Sequence, residues 1–397
     1  MKNVNQSILF DLSPLQMSSV HGGGEYTRAV FYRLCELFPN DMTLEVFFNP
    51  DKKIEKNIIE LCEAKKIILN ACKNNHDIIK LLKDKEYDVF YTALAYSYKN
   101  INIPPKTKFI YTIHGLRELE WLPDKYRLKY NKNDIKRKIR HYISLFFPSS
   151  WKKYKFDSMR NLFSLTNNQK IITVSNHSKF SISYFFPDLD ISQIQVLYSP
   201  SKIIPVENQS ESRTLDSFSV KAAKYILMIN GNRAGKGAYR ACSALYKLLQ
   251  KQNTVPNEVN ILVLGVSYKT PYLKLTNNSK RFIFHGYVSA NDLEVLYKEA
   301  HLFLFPSLNE GFGYPPLEAM KYGTLCACSA NSAITEICGD TVLYFNPYDE
   351  TEMSIRVLQS FDKTIRKEKK EKMSLRYQEI IAKQECDLDK LIYEIIT

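Results

Sequence analysis

Two glutamates, Glu310 and Glu318, share the short segment EGFGYPPLE, and their surroundings suggest a use for them. Glu310 lies in a polar stretch with glycines, and Glu318 follows two prolines that suit the first turn of a helix. A helix that starts after such a loop attracts anions through its free N–H groups and its dipole. Acids beside an anion site are expected to accept hydrogen bonds from hydroxyls. A sugar and a ribose would supply those hydroxyls.

The segment around these glutamates predicts the elements that would position them. The apolar run Leu302 to Phe305 is too short for a helix and precedes Pro306, so we expect a buried strand. A short helix after the prolines should end at Gly323, and the apolar run Thr324 to Ser329 predicts the next strand. The candidate site is therefore expected in the loop between a buried strand and the start of a short helix.

The same order of elements recurs earlier in the chain. Tyr225 to Asn230 predicts a strand, and a helix pattern begins soon after it. Arg233 and Lys236 lie between the two, which would place two cations where a diphosphate could rest against a helix N-terminus.

The first half of the chain offers two further candidates. Gly22, Gly23 and Gly24 separate a strand at Ser7 to Asp11 from a helix expected over about Glu25 to Phe38. His114 follows the strand pattern KFIYTI directly. Strands and helices alternate in this half, which predicts a doubly wound parallel sheet, and such sheets bind ligands beyond the carboxyl ends of their strands.

Length and charge limit the class of protein. A chain of 397 residues predicts two domains, and no apolar run is long enough to cross a bilayer. The N-terminus has no signal-peptide pattern, so a cytoplasmic location is expected. The eight cysteines are scattered, mostly in apolar segments, as expected of reduced core residues. The net charge of +13 calls for an anionic neighbour, which could be nucleic acid, anionic lipid or a phosphate-bearing substrate.

Much of that charge stands in the segment 118–165, where basic residues alternate with aromatic ones. Amphipathic helices are expected around Ile135 to Phe147 and Trp151 to Phe163. This composition fits contact with an anionic membrane surface, and a solvated basic lid packed on the domain is the other interpretation. Nucleic acid is disfavoured because the chain has no recognition motif for it.

The segment EGFGYPPLE resembles the E-x7-E signature of the retaining glycosyltransferases of family 4, which have the GT-B fold. The resemblance extends along the chain in order and implies an α/β protein with two Rossmann-like domains facing a central cleft. It implies an acceptor-side domain at 1–205, a linker at 206–221, a nucleotide-sugar domain at 222–375, and a C-terminal helix at 376–397 that crosses back to the first domain.

The resemblance also implies roles for single residues. Glu310 and His114 would contact the donor sugar, Glu318 the ribose, and Arg233 with Lys236 the diphosphate. The implied catalytic residues are His114, Glu310, Arg233 and Lys236. The implied donor-binding residues are Gly23, Gly24, Arg233, Lys236, Tyr287, Val288, Glu310, Gly311, Phe312, Gly313 and Glu318.

The implied reaction moves a sugar from a nucleotide diphosphate sugar to a hydroxyl of a glycan or lipid-linked glycan, with retention, in bacterial capsule or O-antigen synthesis. The enzyme would act in the cytoplasm, or at the inner face of the membrane. No metal or other cofactor is expected if Arg233 and Lys236 offset the charge of the leaving group, and Asp188 to Asp190 is interpreted as a surface turn. A nucleotide-sugar epimerase of the same fold and a non-catalytic subunit remain as alternatives.

Overall fold

The computed structural model describes residues 6–16, 22–39, 41–98, 101–121, 124–130, 135–202, 211–251 and 255–397. The chain divides into two compact units. The first unit comprises residues 1–119, 153–203 and 381–397, and the second comprises residues 120–152 and 204–380.

The first unit contains a seven-stranded sheet in the order β3-β2-β1-β4-β5-β6-β7, and every neighbouring pair of strands is parallel. This confirms the doubly wound parallel sheet that the alternation of patterns predicts. The strands are β1 (Ser7–Asp11), β2 (Thr43–Phe48), β3 (Ile68–Ala71), β4 (Val89–Thr92), β5 (Lys108–Ile113), β6 (Gln169–Thr173) and β7 (Ile194–Val196).

Seven helices of the first half lie between these strands along the described chain. In α1, Ala29, Val30 and Leu34 recur at helical spacing and are buried, whereas Leu37 at its end is exposed. The helices are α1 (Gly22–Leu37), α2 (Lys56–Ala64), α3 (Asn75–Lys85), α4 (Arg117–Glu120), α5 (Ile135–Phe146), α6 (Pro148–Arg160) and α7 (Asn176–Phe185).

A buried carboxylate joins β1 and β4, which are neighbours in this sheet. Asp11, the last residue of β1, accepts hydrogen bonds from the hydroxyls of Thr92 at 2.7 Å and Tyr98 at 2.6 Å, and from the N–H of Ser13 at 2.8 Å. Burial raises the pKa of Asp11, and these hydrogen bonds oppose that rise. The network therefore satisfies a buried acid where the carboxyl ends of β1 and β4 meet.

The second unit contains a six-stranded parallel sheet in the order β10-β9-β8-β11-β12-β13. Its strands are β8 (Tyr225–Met228), β9 (Asn260–Val263), β10 (Phe282–Phe284), β11 (Leu302–Phe305), β12 (Cys326–Ser329) and β13 (Leu343–Phe345). The remaining helices are α8 (Glu211–Ser217), α9 (Ala238–Leu249), α10 (Thr270–Leu275), α11 (Ala290–Lys298), α12 (Tyr314–Lys321), α13 (Ser332–Cys338), α14 (Glu350–Gln359) and α15 (Lys363–Ile396).

The division of the chain differs from the predicted boundaries in two places. The predicted linker contains α8, where Thr214 donates a hydrogen bond to Asp292 at 3.1 Å and Glu211 pairs with Lys298; its residues 206–210 lie outside the described part. The sequence predicts that the basic segment is part of the first domain, but its residues 120–152 group with the second unit. Composition alone could not reveal this, because the grouping depends on contacts with residues far away in sequence.

The C-terminal helix is longer than predicted. It runs without interruption from Lys363 to Ile396, and its last part, from residue 381 onward, groups with the first unit. There Gln384 donates a hydrogen bond to the carbonyl of Ser199, and Asp387 accepts one from the N–H of Tyr198 at 2.9 Å.

Candidate active site

The centre of the second sheet is a point where the strand order reverses. From β8 the chain proceeds outward through β9 and β10, and from β11 it proceeds the opposite way through β12 and β13. Loops that leave two such strands diverge, and ligands of open α/β sheets bind in the space beyond their carboxyl ends. Arg233 and Lys236 follow β8, and Glu310 follows β11, so the fold brings these predicted residues to the reversal point.

The loops after β8 and β11 are joined through their backbones. The N–H of Leu308 donates a hydrogen bond to the carbonyl of Gly235 at 2.8 Å. Gly237 has a φ of +69°, and a Cβ atom at this position would lie 2.1 Å from the carbonyl oxygen of Pro306. Only glycine therefore allows this approach, since a side chain would collide with backbone that cannot move aside.

Lys236 and Glu310 form a buried ion pair between these loops. Nζ of Lys236 donates a hydrogen bond to Oε1 of Glu310, and the two residues are only 8% and 7% exposed. The Lys236 ammonium also lies 5.5 Å from the centre of the Phe305 ring. A buried charge is stable only with a partner, and here each residue is the other's partner.

The position of Glu310 is further defined by its backbone. Its N–H donates a hydrogen bond to the hydroxyl of Ser332 at 2.9 Å. Ser332 has a φ of +48°, in the left-handed region that costs a residue with a side chain about 1 kcal/mol or more. Next to it, the amide of Asn331 donates hydrogen bonds to the carbonyls of Ser307 and Leu308. Residues from the β12–α13 connection thus support the loop that carries Glu310.

Arg233 differs from Lys236 in its surroundings. Its side chain is exposed and makes no hydrogen bond or ion pair with another residue that the structure describes. A guanidinium group in this state can form bidentate hydrogen bonds with an incoming phosphate. The two predicted cations are therefore one engaged lysine and one arginine that faces solvent.

Glu318 lies on α12, the helix predicted from the proline pair. The helix begins after Gly313, whose φ is +118°, and Pro315 and Pro316 occupy its first turn. Because prolines carry no N–H, this turn has two donors fewer for an anion than the pattern suggests. Glu318 is partly buried beside the fully buried Tyr297. Burial, followed by the charge of Glu318, raises the pKa of Tyr297 well above its usual value.

The other predicted donor-binding residues of the second unit vary in exposure. Tyr287, in the loop after β10, is 79% exposed, whereas the neighbouring Val288 packs partly on the core. Phe312 is buried, with its ring 5.2 Å from that of Tyr314, and Gly311 is partly exposed. Of these side chains, that of Tyr287 is the one best placed to meet a planar ligand from solvent.

The glycines of the first unit are helical, which corrects the prediction of a glycine loop before α1. Gly23 and Gly24 lie in the first turn of α1, which begins at Gly22, and the carbonyl of Gly23 accepts a hydrogen bond from Thr27 at 2.8 Å. A Cβ atom on Gly23 would lie 2.8 Å from the side chain of Leu94. Close packing against Leu94 therefore favours glycine at position 23, independently of any ligand.

His114 stands at the carboxyl end of β5, as predicted. Its Nε2 atom is 2.9 Å from the carbonyl oxygen of Ala93, and its ring meets that of Tyr26 edge-on at 4.8 Å. A carbonyl can only accept a hydrogen bond, so Nε2 must carry the proton. In the neutral ring Nδ1 is then the acceptor nitrogen.

Sequence reasoning missed a group of residues that contact the loop after β8. They lie in residues 120–121 and 124–130, a region interpreted as part of an acceptor-side or membrane segment. The hydroxyl of Tyr130 accepts a hydrogen bond from the N–H of Tyr239 at 2.9 Å, and Asp124 pairs with Arg240 at 2.8 Å. No local pattern could identify them, because their partners are more than a hundred positions away in sequence.

No group of three or more histidine, cysteine, aspartate or glutamate side chains in the described ranges is arranged to hold a metal ion. No helix in the same ranges combines the length and apolar character needed to cross a bilayer.

Known proteins resemble this chain at two levels. Residues 215–377 match the family described as "Glycosyl transferases group 1". O-antigen chain mannosyltransferase B of Escherichia coli is 44% identical over 75 residues, which are 19% of this chain and 20% of that protein. O-antigen chain mannosyltransferase RfbU of Salmonella typhimurium LT2 is 25% identical over 213 residues, 52% of this chain and 54% of that protein. The chain thus spans about half or less of the length of the curated relatives it matches.

A solved structure extends the similarity of fold to nearly the whole chain. Anabaena Alr3699/HepE in complex with UDP-glucose has a TM-score of 0.63 and 14% sequence identity, with 97% of this chain and 99% of that one covered. At this identity the similarity concerns the fold alone. Residues 215–377 therefore match the group 1 glycosyl transferases in sequence, and the two Rossmann-like units of the chain have the GT-B fold.

Proposed function

We propose that this protein transfers a hexose from a nucleotide diphosphate sugar to a hydroxyl of a glycan or lipid-linked glycan. One observation carries the proposal: within the family domain, the buried Lys236–Glu310 pair and the exposed Arg233 lie together at the reversal point of the second sheet. Cations that can meet a diphosphate, next to a carboxylate that can accept hydrogen bonds from a sugar, suit the transfer of a glycosyl group.

The proposed reaction proceeds with retention and without a covalent intermediate. The bond between the anomeric carbon and the diphosphate oxygen breaks, and the acceptor oxygen bonds to the same face of that carbon. The acceptor proton passes to an oxygen of the departing diphosphate. Arg233 and Lys236 would stabilise the charge that develops there, so no metal is required, while Glu310 and His114 would orient the sugar and Glu318 the ribose.

The relatives guide the choice of substrates. Two of them are O-antigen mannosyltransferases, so mannose is the first sugar to test, and the product would belong to a bacterial surface polysaccharide. The HepE structure holds UDP-glucose, so uridine nucleotides need to be tested beside guanosine nucleotides.

We further propose that α5 binds an anionic lipid surface, which would put the enzyme at the inner face of the membrane. An apolar stripe at helical spacing is exposed on α5: Ile135 is 74% exposed, Ile139 54% and Phe146 73%, with Tyr142 and Ile143 between them. Lys136 and Arg140 are exposed on the same helix, while His141 and Ser144 are buried. Exposed apolar residues flanked by lysine and arginine are typical of helices that lie in the membrane interface.

Transfer can be tested with the purified protein, UDP-, GDP- and ADP-sugars, and glycan acceptors that include mannosides. The expected result is a new glycoside, formed only when acceptor is present, whose anomeric configuration by NMR equals that of the donor. Inverted configuration would exclude retention. A changed sugar nucleotide without acceptor would indicate an epimerase, and failure to bind or turn over any nucleotide sugar would leave a non-catalytic subunit.

A further inference from the structure

A short segment of the second unit holds the loop after β8 from outside the sheet. It comprises residues 120–121 and 124–130 and is called the strap below. The strap precedes α5 in the chain but contacts the loop after β8, the first turn of α9 and the loop after β11. Each contact involves a polar group or an aromatic ring, and three of the contacted residues, Gly235, Tyr239 and Arg240, lie within seven positions of Arg233.

Tyr130 contacts the first turn of α9. Its hydroxyl, buried with the rest of the residue, accepts the hydrogen bond from the N–H of Tyr239, the second residue of the helix. The first N–H groups of a helix have no partner within the helix, and Gly237 before it has no side chain to cap them. The hydroxyl of a tyrosine from a distant part of the chain therefore caps the N-terminus of this helix.

Asp124 holds the same turn through its charge. Its carboxylate pairs with Arg240 at 2.8 Å, and both residues are buried. The Arg240 guanidinium also lies 4.8 Å from the centre of the Tyr126 ring and 5.1 Å from that of Tyr348. A buried, stacked arginine with a carboxylate partner has one geometry, so the first turn of α9 is fixed relative to the strap.

The other end of the strap reaches both loops of the candidate site. The ring of Trp121 lies 3.6 Å from the position that a Cβ atom would take on Gly235. Glu120 accepts a hydrogen bond from the amide of Asn309, the residue before Glu310. Trp121 thus limits the movement of the Arg233–Lys236 turn, while Glu120 is tied to the loop that carries the partner of Lys236.

We infer that the strap positions the diphosphate-binding loop, so that Asp124 and Tyr130 contribute to diphosphate affinity by holding the loop rather than by touching the ligand. The inference rests on the proposed function. A loop that is already fixed loses little conformational entropy when the ligand binds. The ligand therefore binds more tightly than it would to a flexible loop. The effect of the strap should be largest on the phosphates, because its contacts reach Gly235, Tyr239 and Arg240, which lie within a few positions of Arg233 and Lys236.

Two conservative variants test this inference: Asp124→Asn, which keeps the shape and removes the charge, and Tyr130→Phe, which removes only the hydroxyl. Asp157→Asn and Tyr184→Phe, both exposed, are the matched controls. Binding of UDP, GDP and ADP and of the corresponding nucleosides is measured by calorimetry well below the unfolding temperature. We expect each strap variant to bind the diphosphate about tenfold more weakly than the wild type, and the nucleoside less than about twofold more weakly.

Equal diphosphate affinity in the wild type and the strap variants would overturn the inference, and so would equal losses for diphosphate and nucleoside, which indicate general loosening. If Asp124→Asn does not fold, Tyr130→Phe and Glu120→Gln carry the same test. A wild-type protein that binds none of the nucleotides would count against the proposed function itself. Binding by the wild type with unchanged variants would count against the strap alone.

Discussion

Lys236 and Glu310 are 74 positions apart in the chain, yet the Lys236 ammonium donates a hydrogen bond directly to the Glu310 carboxylate. The family resemblance implies separate roles for them, the lysine at the diphosphate and the glutamate at the sugar. As a buried pair they form one unit, in which a change in one residue leaves the other charge without compensation. Their contributions to stability and to transfer should therefore be coupled.

Replacing one member of this pair should destabilise the protein more than replacing both. Lys236→Met or Glu310→Gln alone is expected to lower the free energy of unfolding by about 3 kcal/mol, because a buried charge or a buried polar group loses its partner. Urea denaturation of the single and double variants gives the coupling energy. Strictly additive losses would show that the two residues act independently. Transfer activity should be lost in all three variants.

Nucleotide binding should depend on Glu318 and Arg233. A hydrogen bond to a charged group contributes about 1.5–3 kcal/mol. Glu318→Ala and Arg233→Ala should therefore each weaken the binding of a nucleoside diphosphate by about 10- to 100-fold. In a thermal-shift assay, ligand at 100 times its Kd for the wild type stabilises that protein by about 2.7 kcal/mol, and the same ligand concentration should stabilise each variant by only about 0.4 to 1.4 kcal/mol. Glu371→Ala and Lys221→Ala, at exposed positions, are the controls. An unchanged shift in Arg233→Ala would remove the arginine from the site.

His114 should affect transfer rather than folding. With Nε2 bonded to the Ala93 carbonyl, Nδ1 can accept a hydrogen bond from a sugar hydroxyl. A neutral hydrogen bond contributes about 1 kcal/mol, so His114→Ala should lower kcat/KM for the donor sugar by about fivefold or more and leave nucleoside diphosphate affinity unchanged. His76→Ala, at an exposed position on α3, is the control. Loss of nucleotide affinity in His114→Ala would contradict this role.

Binding to anionic vesicles should require both the exposed apolar residues and the cationic residues of α5. Ile139→Ser with Phe146→Ser removes apolar area, and Lys136→Gln with Arg140→Gln removes charge. In liposome flotation the wild type should float with vesicles that contain phosphatidylserine or phosphatidylglycerol and not with pure phosphatidylcholine, and either pair of changes should reduce flotation severalfold. Leu375→Ser replaces an exposed leucine on α15 and should have no effect. Equal flotation of all variants would exclude α5 as the docking surface.

Acid should destabilise the second unit through His301. Burial, and then the charge of Arg366, lowers the pKa of His301 to about 4, and its ring stacks on Phe361 at 4.3 Å. In the unfolded chain this pKa is about 6.5, so between the two values the unfolded state binds the proton and the native state does not. The free energy of unfolding should therefore fall as the pH drops from about 6.5 to about 4, by at most about 1.4 kcal/mol per pH unit.

The contribution of His301 can be isolated by difference. Denaturation curves of the wild type and His301→Gln are compared across this pH range, which cancels the other titrating groups. The stability difference between the two proteins should change with pH in favour of the variant at low pH. A difference that does not vary with pH would mean that His301 has an ordinary pKa.

The sequence determined the local structure on which the site is built. Runs such as Leu302 to Phe305 are apolar and short, so they form buried strands wherever they lie in the sheet, and β11 has the predicted bounds. The prolines at 315 and 316 begin α12 as expected, since their missing N–H groups and fixed φ suit a first turn. The buried cysteines on β12 follow from the same pattern, and of the eight cysteines Cys386 alone is exposed.

Tertiary structure decided how these pieces act together. The helix α1 begins at Gly22, although a run of three glycines ordinarily disfavours a helix, and Gly23 packs closely against the side chain of Leu94. The pairing of Lys236 with Glu310, and the support of α9 by Tyr130 and Asp124, join residues separated by 74 to 116 positions. Local propensity depends on neighbours within a few residues, whereas a buried ion pair depends on which loops the order of the strands brings together. The sequence therefore identified the candidate ligands, and only the fold showed which of them form an ion pair.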